Sequence, residues 1–217
     1  MVEPIQNSPT PRSGERPTLN RRRVLDAALA LVDREGVEKL TIRRLGEEAG
    51  VEAMSLYNHV DSKDDVLDGL VGLLWEEVEE SAGQEARSWQ DLARALAGSI
   101  RSVAHAHPNA YPLVLTRGQL PGQVIRLGAR LQRALSEAGF DDLAPYATLA
   151  LSSHATSQAM AEVSWYGARN ANEVPGQIEQ WPPLVASEDQ LPAHDPDTAF
   201  ELSLELMIEA LEQRIES

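Results

Sequence analysis

The 217-residue chain contains no cysteine, few aromatic residues (5%) and no long apolar run. Without cysteine it cannot form disulfides, use a thiol nucleophile or bind zinc through thiolates. A membrane span needs about 18 consecutive apolar residues, which no segment offers, and residues 1–18 lack the apolar stretch of a signal peptide. We therefore expect a cytoplasmic protein that does not enter membranes.

Motifs for catalysis and metal binding are also missing. The sequence has no His-Glu-x-x-His, no Gly-x-Ser-x-Gly and no glycine-rich phosphate loop. His105 and His107 lie two residues apart, a spacing that does not place both on one helical face. His154 and His194 have no carboxylate spaced to orient them. We expect neither enzyme activity nor a metal or other cofactor.

Charge is distributed unevenly along the chain. The net charge is −15, yet residues 1–63 carry ten basic and ten acidic residues, whereas residues 64–217 carry nine basic and 24 acidic residues. Because screening limits the reach of a charge to about 10 Å, the local balance decides which part can approach a polyanion. The cluster Arg21-Arg22-Arg23 adds positive charge near the start of the neutral part. Only this N-terminal part is expected to face DNA.

Most of the chain follows a helical pattern. Residues 1–18 hold four prolines and few apolar residues, so burial cannot offset the entropy lost on ordering them, and we predict a disordered tail. Beyond them, apolar residues recur at helical spacing and no stretch alternates with period two for long. The predicted helices lie between Asn20 and Gly36, Thr41 and Gly50, Ala53 and His59, Ser62 and Glu80, Trp89 and His105, Gln123 and Ala138, Asp142 and Tyr166, and Thr198 and Ile215. The predicted fold class is all-α.

Residues 41–60 have the composition of a helix-turn-helix. Gly50 permits the left-handed backbone of a tight turn, and small Ala49 lets two helices approach closely. The other positions expected to be buried are Leu45, Val51 and Leu56. The helix that begins at Ala53 would then be presented to the major groove of DNA, with its N-terminal residues nearest the base edges.

The same segment resembles the TetR family of transcriptional regulators, most closely its tetracycline-repressor branch. The resemblance runs from about Leu19 to Leu70 and rests on the pattern Leu-Tyr-x-His-Val followed by a lysine. The residues that carry it are Leu45, Gly50, Val51, Leu56, Tyr57, His59, Val60 and Lys63. A weaker similarity continues through Ser88-Trp89-Gln90-Asp91, Leu115-Thr116-Arg117, Gly139-Phe140 and the C-terminal residues from Ala199 to Glu212. It implies a three-helix DNA-binding domain over residues 19–65 and a helical ligand-binding and dimerisation domain over residues 66–217.

The resemblance also implies which residues touch DNA. Arg43 would reach a guanine edge, to which arginine can donate two hydrogen bonds. The phosphate backbone would be contacted by Thr41, Ser55, Tyr57, His59 and Lys63. The residues alone leave other interpretations open: Arg43 and Arg44 on a solvated face, Tyr57 as packing, His59 as a helix-end histidine, and Lys63 as a counter-charge to Asp61 and Asp64.

Two positions of the recognition helix depart from the tetracycline repressors. Ala53 stands where those proteins have a polar side chain that reads a base, and Met54 replaces a proline. Either residue offers only apolar contact, which suits a thymine methyl group. The operator is therefore expected to differ.

The resemblance implies a homodimer that forms through two late helices, here Asp142–Tyr166 and Thr198–Ile215. A two-fold partner matches a palindromic operator. In the last helix one apolar stripe consists of Phe200, Leu204, Met207, Ile208, Leu211 and Ile215. Such a stripe suits either a dimer interface or the core. The interval Gly167–Pro196 between these helices holds five prolines and is too long for an ordinary connection, so we expect it to be mobile, functional or both.

A ligand pocket is also implied. The positions that correspond to the family pocket are Trp75, Glu79, Leu96, Ile100, Leu113, Arg130, Leu131, Thr148 and Ser152. Leu113 takes the place of a magnesium-ligating histidine and Leu96 that of a drug-binding asparagine, so magnesium-tetracycline is not the expected effector. A lipophilic effector, with Trp75 as a stacking wall and Arg130 or Ser152 as a polar anchor, is the hypothesis. The alternative is that Trp75, Ile100 and Leu131 are ordinary core.

The predicted function is that of a ligand-responsive repressor, which binds a palindromic operator as a homodimer and is released by a small, mostly lipophilic effector. The fourth helix, from Ser62 to about Glu80, would transmit the change. The alternative is an acidic helical dimer that binds small molecules or proteins and does not bind an operator.

Overall fold

The computed structural model describes residues 19–83, 86–118, 120–170 and 196–215. In these ranges all regular structure is helical, so the all-α prediction is confirmed. The α-helices are α1 (Arg21–Glu35), α2 (Ile42–Ala49), α3 (Ala53–Leu56), α4 (Lys63–Ser81), α5 (Trp89–Ala106), α6 (Leu113–Thr116), α7 (Gly122–Glu137), α8 (Ala144–Asn170) and α9 (Pro196–Ile215). Short 3-10 helices cover Val37–Lys39 and Asp141–Leu143. The predicted tail lies outside the described residues, as do residues 171–195 of the proline-rich interval.

Polar side chains fix where four of the helices begin. The side-chain oxygens of Asn20, Thr41, Ser62 and Ser88 accept hydrogen bonds from backbone N–H groups three residues later, at 2.9–3.2 Å. Each satisfies an N–H that has no partner within its own helix. At Ser62 the Asp65 carboxylate does not turn back to the Ser62 N–H but accepts from the Asp61 N–H at 2.9 Å.

Several predicted boundaries were wrong. The third helix ends at Leu56 and not at His59, because the next N–H groups bond three residues back, His59 N to Leu56 O at 2.8 Å, and the chain tightens into a turn. Helix α8 extends to Asn170, four residues past the predicted end at Tyr166. Helix α9 begins at Pro196, since proline is tolerated at the first helical position. Helix α6 and the two 3-10 helices are too short to be recognised by periodicity.

Helix α5 forms the middle of the main apolar core. It packs against α8, α4 and α7, and its buried side chains include Leu96, Ile100 and Val103. At one end of the core the rings of Trp89 and Phe140 meet edge to face, with centroids 5.2 Å apart. The buried residues of α1, α2 and α3 belong to the same continuous core, so the two halves of the chain pack on each other.

The apolar residues of α9 form two stripes rather than one. Phe200, Leu204 and Ile208 are buried in the core, and Met207 and Leu211 pack against it. The stripe proposed from the sequence is therefore mostly core. The most exposed large apolar residues of α9 are Leu202 and Leu206, both 58% exposed, and Ile215 of the predicted stripe is also exposed, at 36%.

Helix α1 crosses α4 at very short range. A Cβ at Gly69 of α4 would lie 2.5 Å from a methyl group of Leu25, which is itself buried. Beside this contact, Arg21 of α1 donates two hydrogen bonds of 2.7 Å to the Asp65 carboxylate and a third, of 3.1 Å, to the backbone oxygen of His59. The hydrogen bond from Arg21 is the main cause that lowers the pKa of Asp65 to about 2. Helix α4 is thereby fixed both to α1 and to the turn after α3.

No helix within the described ranges is long and apolar enough to cross a membrane.

Two glycines of α4 should respond in opposite ways to substitution by alanine. Gly69→Ala should lower the free energy of unfolding by about 1–3 kcal/mol, because Leu25 must leave its packed position. Gly72→Ala, the matched control, should raise it by about 0.5–1 kcal/mol, because its Cβ would enter open space and alanine loses less entropy in a helix. Urea denaturation of both variants measures the difference, and equal effects would contradict the close α1–α4 contact.

Candidate nucleic-acid interface and effector site

The turn between α2 and α3 has the geometry that a helix-turn-helix requires. Gly50 ends α2 with φ 69° and ψ 32°, the left-handed conformation expected from the sequence. Gly46, which the sequence analysis did not single out, allows the closest approach. A Cβ there would stand 3.0 Å from the Val51 carbonyl oxygen and 3.1 Å from the Ala53 backbone. The two helices are therefore held against each other through a glycine and the backbone of the turn.

The predicted DNA-contacting side chains all remain accessible. The exposed ones are Thr41, Arg43, Met54, Tyr57 and Lys63, and the half-buried ones are Ala53, Ser55 and His59. Met54 is 75% exposed and Tyr57 48%, which is unusual for large apolar residues beside a packed core. Tyr57 is thus not a core residue. Arg43 lies on α2, which Thr41 precedes. Ala53, Met54 and Ser55 lie on α3, Tyr57 and His59 follow it, and Lys63 is the first residue of α4.

Two adjacent arginines of α2 have different surroundings. The Arg43 side chain is 81% exposed and forms only a long 3.6 Å contact with Glu47. Arg44 is 31% exposed, pairs with Glu35 of α1 and donates to the Lys39 carbonyl oxygen at 3.4 Å. Arg44 therefore joins α2 to α1, whereas Arg43 keeps its guanidinium available to a ligand.

The basic cluster at the start of α1 is directed at the protein itself. Arg21 is bound to Asp65, and Arg22 pairs with Asp26 at 2.8 Å and with Glu76 at 2.5 Å. These contacts were not predicted, because Asp65 and Glu76 lie 44 and 54 residues further along the chain. The cluster therefore supplies less positive charge to DNA than its sequence suggests.

Lys63 opens α4 beside an acidic residue that is already paired. Asp64 accepts from Arg117 at 2.9 Å, and Asp68 accepts from the same guanidinium at 2.6 Å. Arg117 follows α6 directly, so its two ion pairs connect the end of α6 to the first turns of α4. The sequence analysis did not predict these two ion pairs.

The predicted effector-contacting residues lie mainly inside the core between α4, α5, α7 and α8. Leu96, Ile100, Leu113 and Leu131 are buried, and Trp75 packs against them. Thr148 and Ser152 on α8 are half-buried. Trp75 lies on α4, Leu96 and Ile100 on α5, Leu131 on α7, and Thr148 and Ser152 on α8, and α5 and α7 each contact the other three of these four helices.

Two polar groups in that region have distinct surroundings. The Thr148 hydroxyl oxygen is buried and has no hydrogen-bond partner among the described residues, which makes it a group that a ligand can satisfy. Arg130, predicted as a polar anchor, instead donates to the carbonyl oxygens of Ala82 and Gly83 at 3.0 and 2.5 Å. These carbonyls follow the last turn of α4, so the Arg130 guanidinium caps that helix.

Two grooves open at the surface, and the second includes two of the predicted pocket positions, Glu79 and Arg130. One, of about 480 Å³, runs between α5 and α9 and is lined by Arg94, Gly98, Arg101, Ser102, His105, Phe200, Glu201, Leu204 and Glu205. The other, of about 390 Å³, is lined by Glu79, Arg126, Leu127 and Arg130. In both, the arginine side chains are engaged in ion pairs or hydrogen bonds with neighbouring groups.

A buried carboxylate beneath the first groove was not expected from the sequence. Glu162 of α8 is 2% exposed, and its Oε2 accepts from Arg101 Nε at 2.8 Å and lies 2.6 Å from His105 Nε2. Arg101 also pairs with Asp197 of α9. This cluster joins α5, α8 and α9. Within the described residues no cluster of three or more histidines and carboxylates has a geometry suited to a metal ion.

Sequence profiles of two known domains cover most of the chain. The profile described as "Bacterial regulatory proteins, tetR family" matches residues 24–70, and the one described as "Tetracyclin repressor-like, C-terminal domain" matches residues 82–215. The first coincides with α1, α2, α3 and the start of α4, and the second with the remaining helices.

Individual relatives agree with these profiles. An HTH-type transcriptional regulator of Saccharopolyspora erythraea is 34% identical over 160 residues. The match covers 72% of this chain and 66% of that relative, so this chain spans slightly less than two thirds of the relative's length. The class D tetracycline repressor protein of Escherichia coli is 30% identical over 199 residues and is matched over 91% of both chains. Among solved structures, the TetR family protein ActR of Streptomyces coelicolor in complex with actinorhodin superposes with a TM-score of 0.73 and 27% identity, covering 92% of this chain and 100% of that one.

The described helices, the helix-turn-helix geometry and matches over both halves of the sequence agree with one another. The chain belongs to the TetR family of bacterial regulatory proteins.

Proposed function

We propose that the protein is a ligand-responsive transcriptional repressor, which binds a palindromic operator as a homodimer and is released by a small lipophilic effector. The observation that carries the proposal is the accessible surface of α2 and α3, where Arg43 and Tyr57 are exposed beside a turn built for close helix packing. In this assignment Arg43 donates to a guanine edge. Thr41, Ser55, Tyr57, His59 and Lys63 hold phosphates, while Ala53 and Met54 contact a thymine methyl group.

The domain division proposed with this function separates residues 19–65 from residues 66–217. The first range carries the DNA contacts and the second carries the effector site and the dimer interface. Helix α4 begins at the boundary and is bound to both parts, through Asp65 to Arg21 and through Asp64 and Asp68 to Arg117. A movement of α6 would therefore be passed to α4 and to the recognition helix. A coupling of about 1–3 kcal/mol would change operator affinity about 5- to 150-fold.

An exposed surface on α8 and α9, which we call the α8–α9 face, supports the dimer. Its members on α8 are uncharged and recur at helical spacing: Tyr146, Leu149, Ala150, Ser153, Ser157 and Ala161. Leu202 and Leu206 continue it on α9, which packs beside α8. Monomeric soluble proteins rarely leave a large apolar patch in contact with water, and here Tyr146, Leu149, Leu202 and Leu206 are 58–71% exposed. A second copy of the chain, related by a two-fold axis, would bury it and set the spacing of the recognition helices.

The chemistry of the core region supports a lipophilic effector. Trp75 offers an aromatic wall, and Leu96, Ile100, Leu113 and Leu131 offer apolar contacts. The buried Thr148 hydroxyl is the polar group best suited to a hydrogen bond with the ligand, and Ser152 lies one helical turn further along α8. Among relatives, ActR is known in complex with actinorhodin and with (S)-DNPA. These are small molecules bound by a protein of the same fold.

Arg43→Ala should weaken binding to a palindrome in the DNA that flanks the gene by about 1–3 kcal/mol, or roughly 5- to 150-fold, because a bidentate base contact is lost. Electrophoretic titration measures this. Arg133→Ala, an exposed arginine on α7, is the control and should leave affinity unchanged. Operator binding would be contradicted if DNA affinity did not depend steeply on salt and did not fall in Arg43→Ala. That result would favour the alternative function, an acidic helical dimer that binds small molecules or proteins and no operator.

Leu206→Glu should convert the dimer to a monomer, because it places a charge in each copy of the proposed interface. Sedimentation velocity measures the mass, and circular dichroism checks that the helices remain. Met54→Glu is the matched control, since Met54 is equally apolar and more exposed but lies on the recognition helix. It should stay dimeric while losing operator binding. A Leu206→Glu variant that remains dimeric would contradict the α8–α9 face as the interface.

Lipophilic aromatic compounds should raise the melting temperature of the protein in a thermal-shift screen. For any compound that does so, Thr148→Val should weaken binding by about 0.5–1.5 kcal/mol, the typical contribution of one hydrogen bond. The unliganded variant should be no less stable, because a buried hydroxyl without a partner is removed. Ser102→Ala, in the α5–α9 groove, is the control and should bind normally. Stabilisation by hydrophilic ions alone would contradict a lipophilic effector.

A further inference from the structure

His107 lies where α1, α4 and α5 meet. It directly follows α5, and its side chain is 16% exposed. Its Nδ1 lies 2.7 Å from Asp33 Oδ2 in the last turns of α1, and its Nε2 lies 3.0 Å from Glu77 Oε2 in α4. The imidazole thus spans the DNA-binding part, the connecting helix and the effector-binding part through two hydrogen-bonding contacts.

The geometry of these contacts requires a proton on each ring nitrogen. Ionised carboxylates only accept hydrogen bonds, and a neutral imidazole carries a single N–H. With carboxylates at both nitrogens, the neutral ring would turn a lone pair toward one of them. The two contacts are satisfied together by imidazolium, which donates to Asp33 and Glu77 simultaneously.

The electrostatics agree with this geometry. Burial of the ring opposes its charged form, but the hydrogen bonds and negative charges of Asp33 and Glu77 outweigh burial and raise the pKa of His107 above its ordinary value of 6.5. Because the pKa is raised in the folded protein, the contribution to stability is complete below pH 6.5 and is lost as the pH rises through the folded pKa. The charged groups that face the ring are Asp33 from α1 and Glu77 from α4. On its own helix, His105 turns to Glu162 instead.

Asp33 depends strongly on this contact. Its other oxygen, Oδ1, is buried and has no hydrogen-bond partner among the described residues. Asn109, two residues after His107, donates to the Asp33 backbone oxygen at 2.8 Å and holds the same turn of α1. Loss of the proton would therefore leave the partly buried carboxylates of Asp33 and Glu77 on either side of a neutral ring. The two carboxylates would repel each other, and a lone pair of the imidazole would face one of them.

The other ion pairs that hold α4 to its neighbours use permanent cations. Arg21 binds Asp65, Arg22 binds Glu76, and Arg117 binds Asp64 and Asp68. Guanidinium groups do not titrate at accessible pH, whereas a histidine changes charge near neutrality. Among these contacts, the one made by His107 is the one that a proton can open and close.

We propose that His107 is a positioning residue whose proton holds the helix-turn-helix in a fixed orientation on α4 and α5, so that orientation and operator affinity depend on pH. Deprotonation weakens the attachment of α1 to the end of α5, where the hydrogen bond from Asn109 to the Asp33 backbone oxygen remains. A loosened domain must be ordered again when it binds, so affinity for the operator falls as the pH rises. The effect on affinity rests on the proposed function, whereas the effect on orientation does not.

The orientation can be measured without DNA. The chain has no cysteine, so Glu47→Cys on α2 and Arg133→Cys on α7, both exposed, provide a unique pair of spin-label sites. Diluting the labelled chain with unlabelled protein isolates the distance within one protomer. We expect a narrow distance distribution at pH 6.5 that broadens at pH 9. With His107→Gln it should be broad at both pH values, and with the matched His105→Gln control it should behave as in the parent chain.

Operator affinity and the titration of the ring complete the test. Between pH 6.5 and pH 9, affinity should fall about five-fold or more in the parent chain and in His105→Gln, and should fall clearly less in His107→Gln. Nuclear magnetic resonance of labelled histidine should give a midpoint for His107 above 6.5 that falls in Asp33→Asn. The inference would be overturned if the spin-labelled chain with His107, Asp33 and Glu77 intact gave identical distance distributions at both pH values. Operator affinity that rises with pH would overturn it as well. Absence of operator binding at every pH would refute the proposed function instead, and the distances would still decide the inference.

Discussion

The carboxylates of α4 determine how the parts of this protein are arranged. Six of the seven acidic residues of the helix pair with a cation from another helix or from the segment that follows one. The pairs are Asp64 and Asp68 with Arg117, Asp65 with Arg21, Glu76 with Arg22, Glu77 with His107, and Glu79 with Arg126. An exposed ion pair contributes little free energy, so the pairs act mainly by fixing geometry. Together with the close Gly69–Leu25 contact, they orient α4 relative to α1, α5, α6 and α7.

This arrangement changes the meaning of the charge pattern. The excess of acidic residues after residue 63 suggested a surface that repels DNA, but on α4 much of it is neutralised internally. Arg21 and Arg22 are used in the same way, so the basic cluster contributes to packing. The positive charge left on the face of α2 and α3 comes chiefly from Arg43, and Lys63 adds to it at the start of α4. With so few cations, binding to an operator would depend on correct placement of two copies rather than on general attraction to phosphate.

The sequence could predict what depends on neighbours within about four residues. The all-α class, the cap at Thr41, the left-handed Gly50 and most helix boundaries follow from local pattern. It could not say which of two stripes on α9 faces the core, because Phe200 and Leu202 fit a helical period equally well. Nor could it find the partners of His107 and Glu162. His107 and Asp33 are 74 residues apart in sequence and His105 and Glu162 are 57 apart, so only helix packing brings them together. The proposed DNA face came from the family resemblance, whereas the contacts that orient α2 and α3 could not be read from the sequence.

Three buried side-chain oxygens in the described residues lack a hydrogen-bond partner: Asp33 Oδ1, Thr148 Oγ1 and Glu162 Oε1. Each leaves part of its desolvation cost uncompensated, which a chain selected for stability alone would avoid. Asp33 lies at the contact between α1 and α5, Thr148 in the proposed effector region, and Glu162 where α5, α8 and α9 meet. A protein that changes between two arrangements needs them to be close in free energy, so that modest differential binding shifts the population. If the proposed effector response involves such a change, a second arrangement that gives these three groups partners would lie closer in free energy to the packed one.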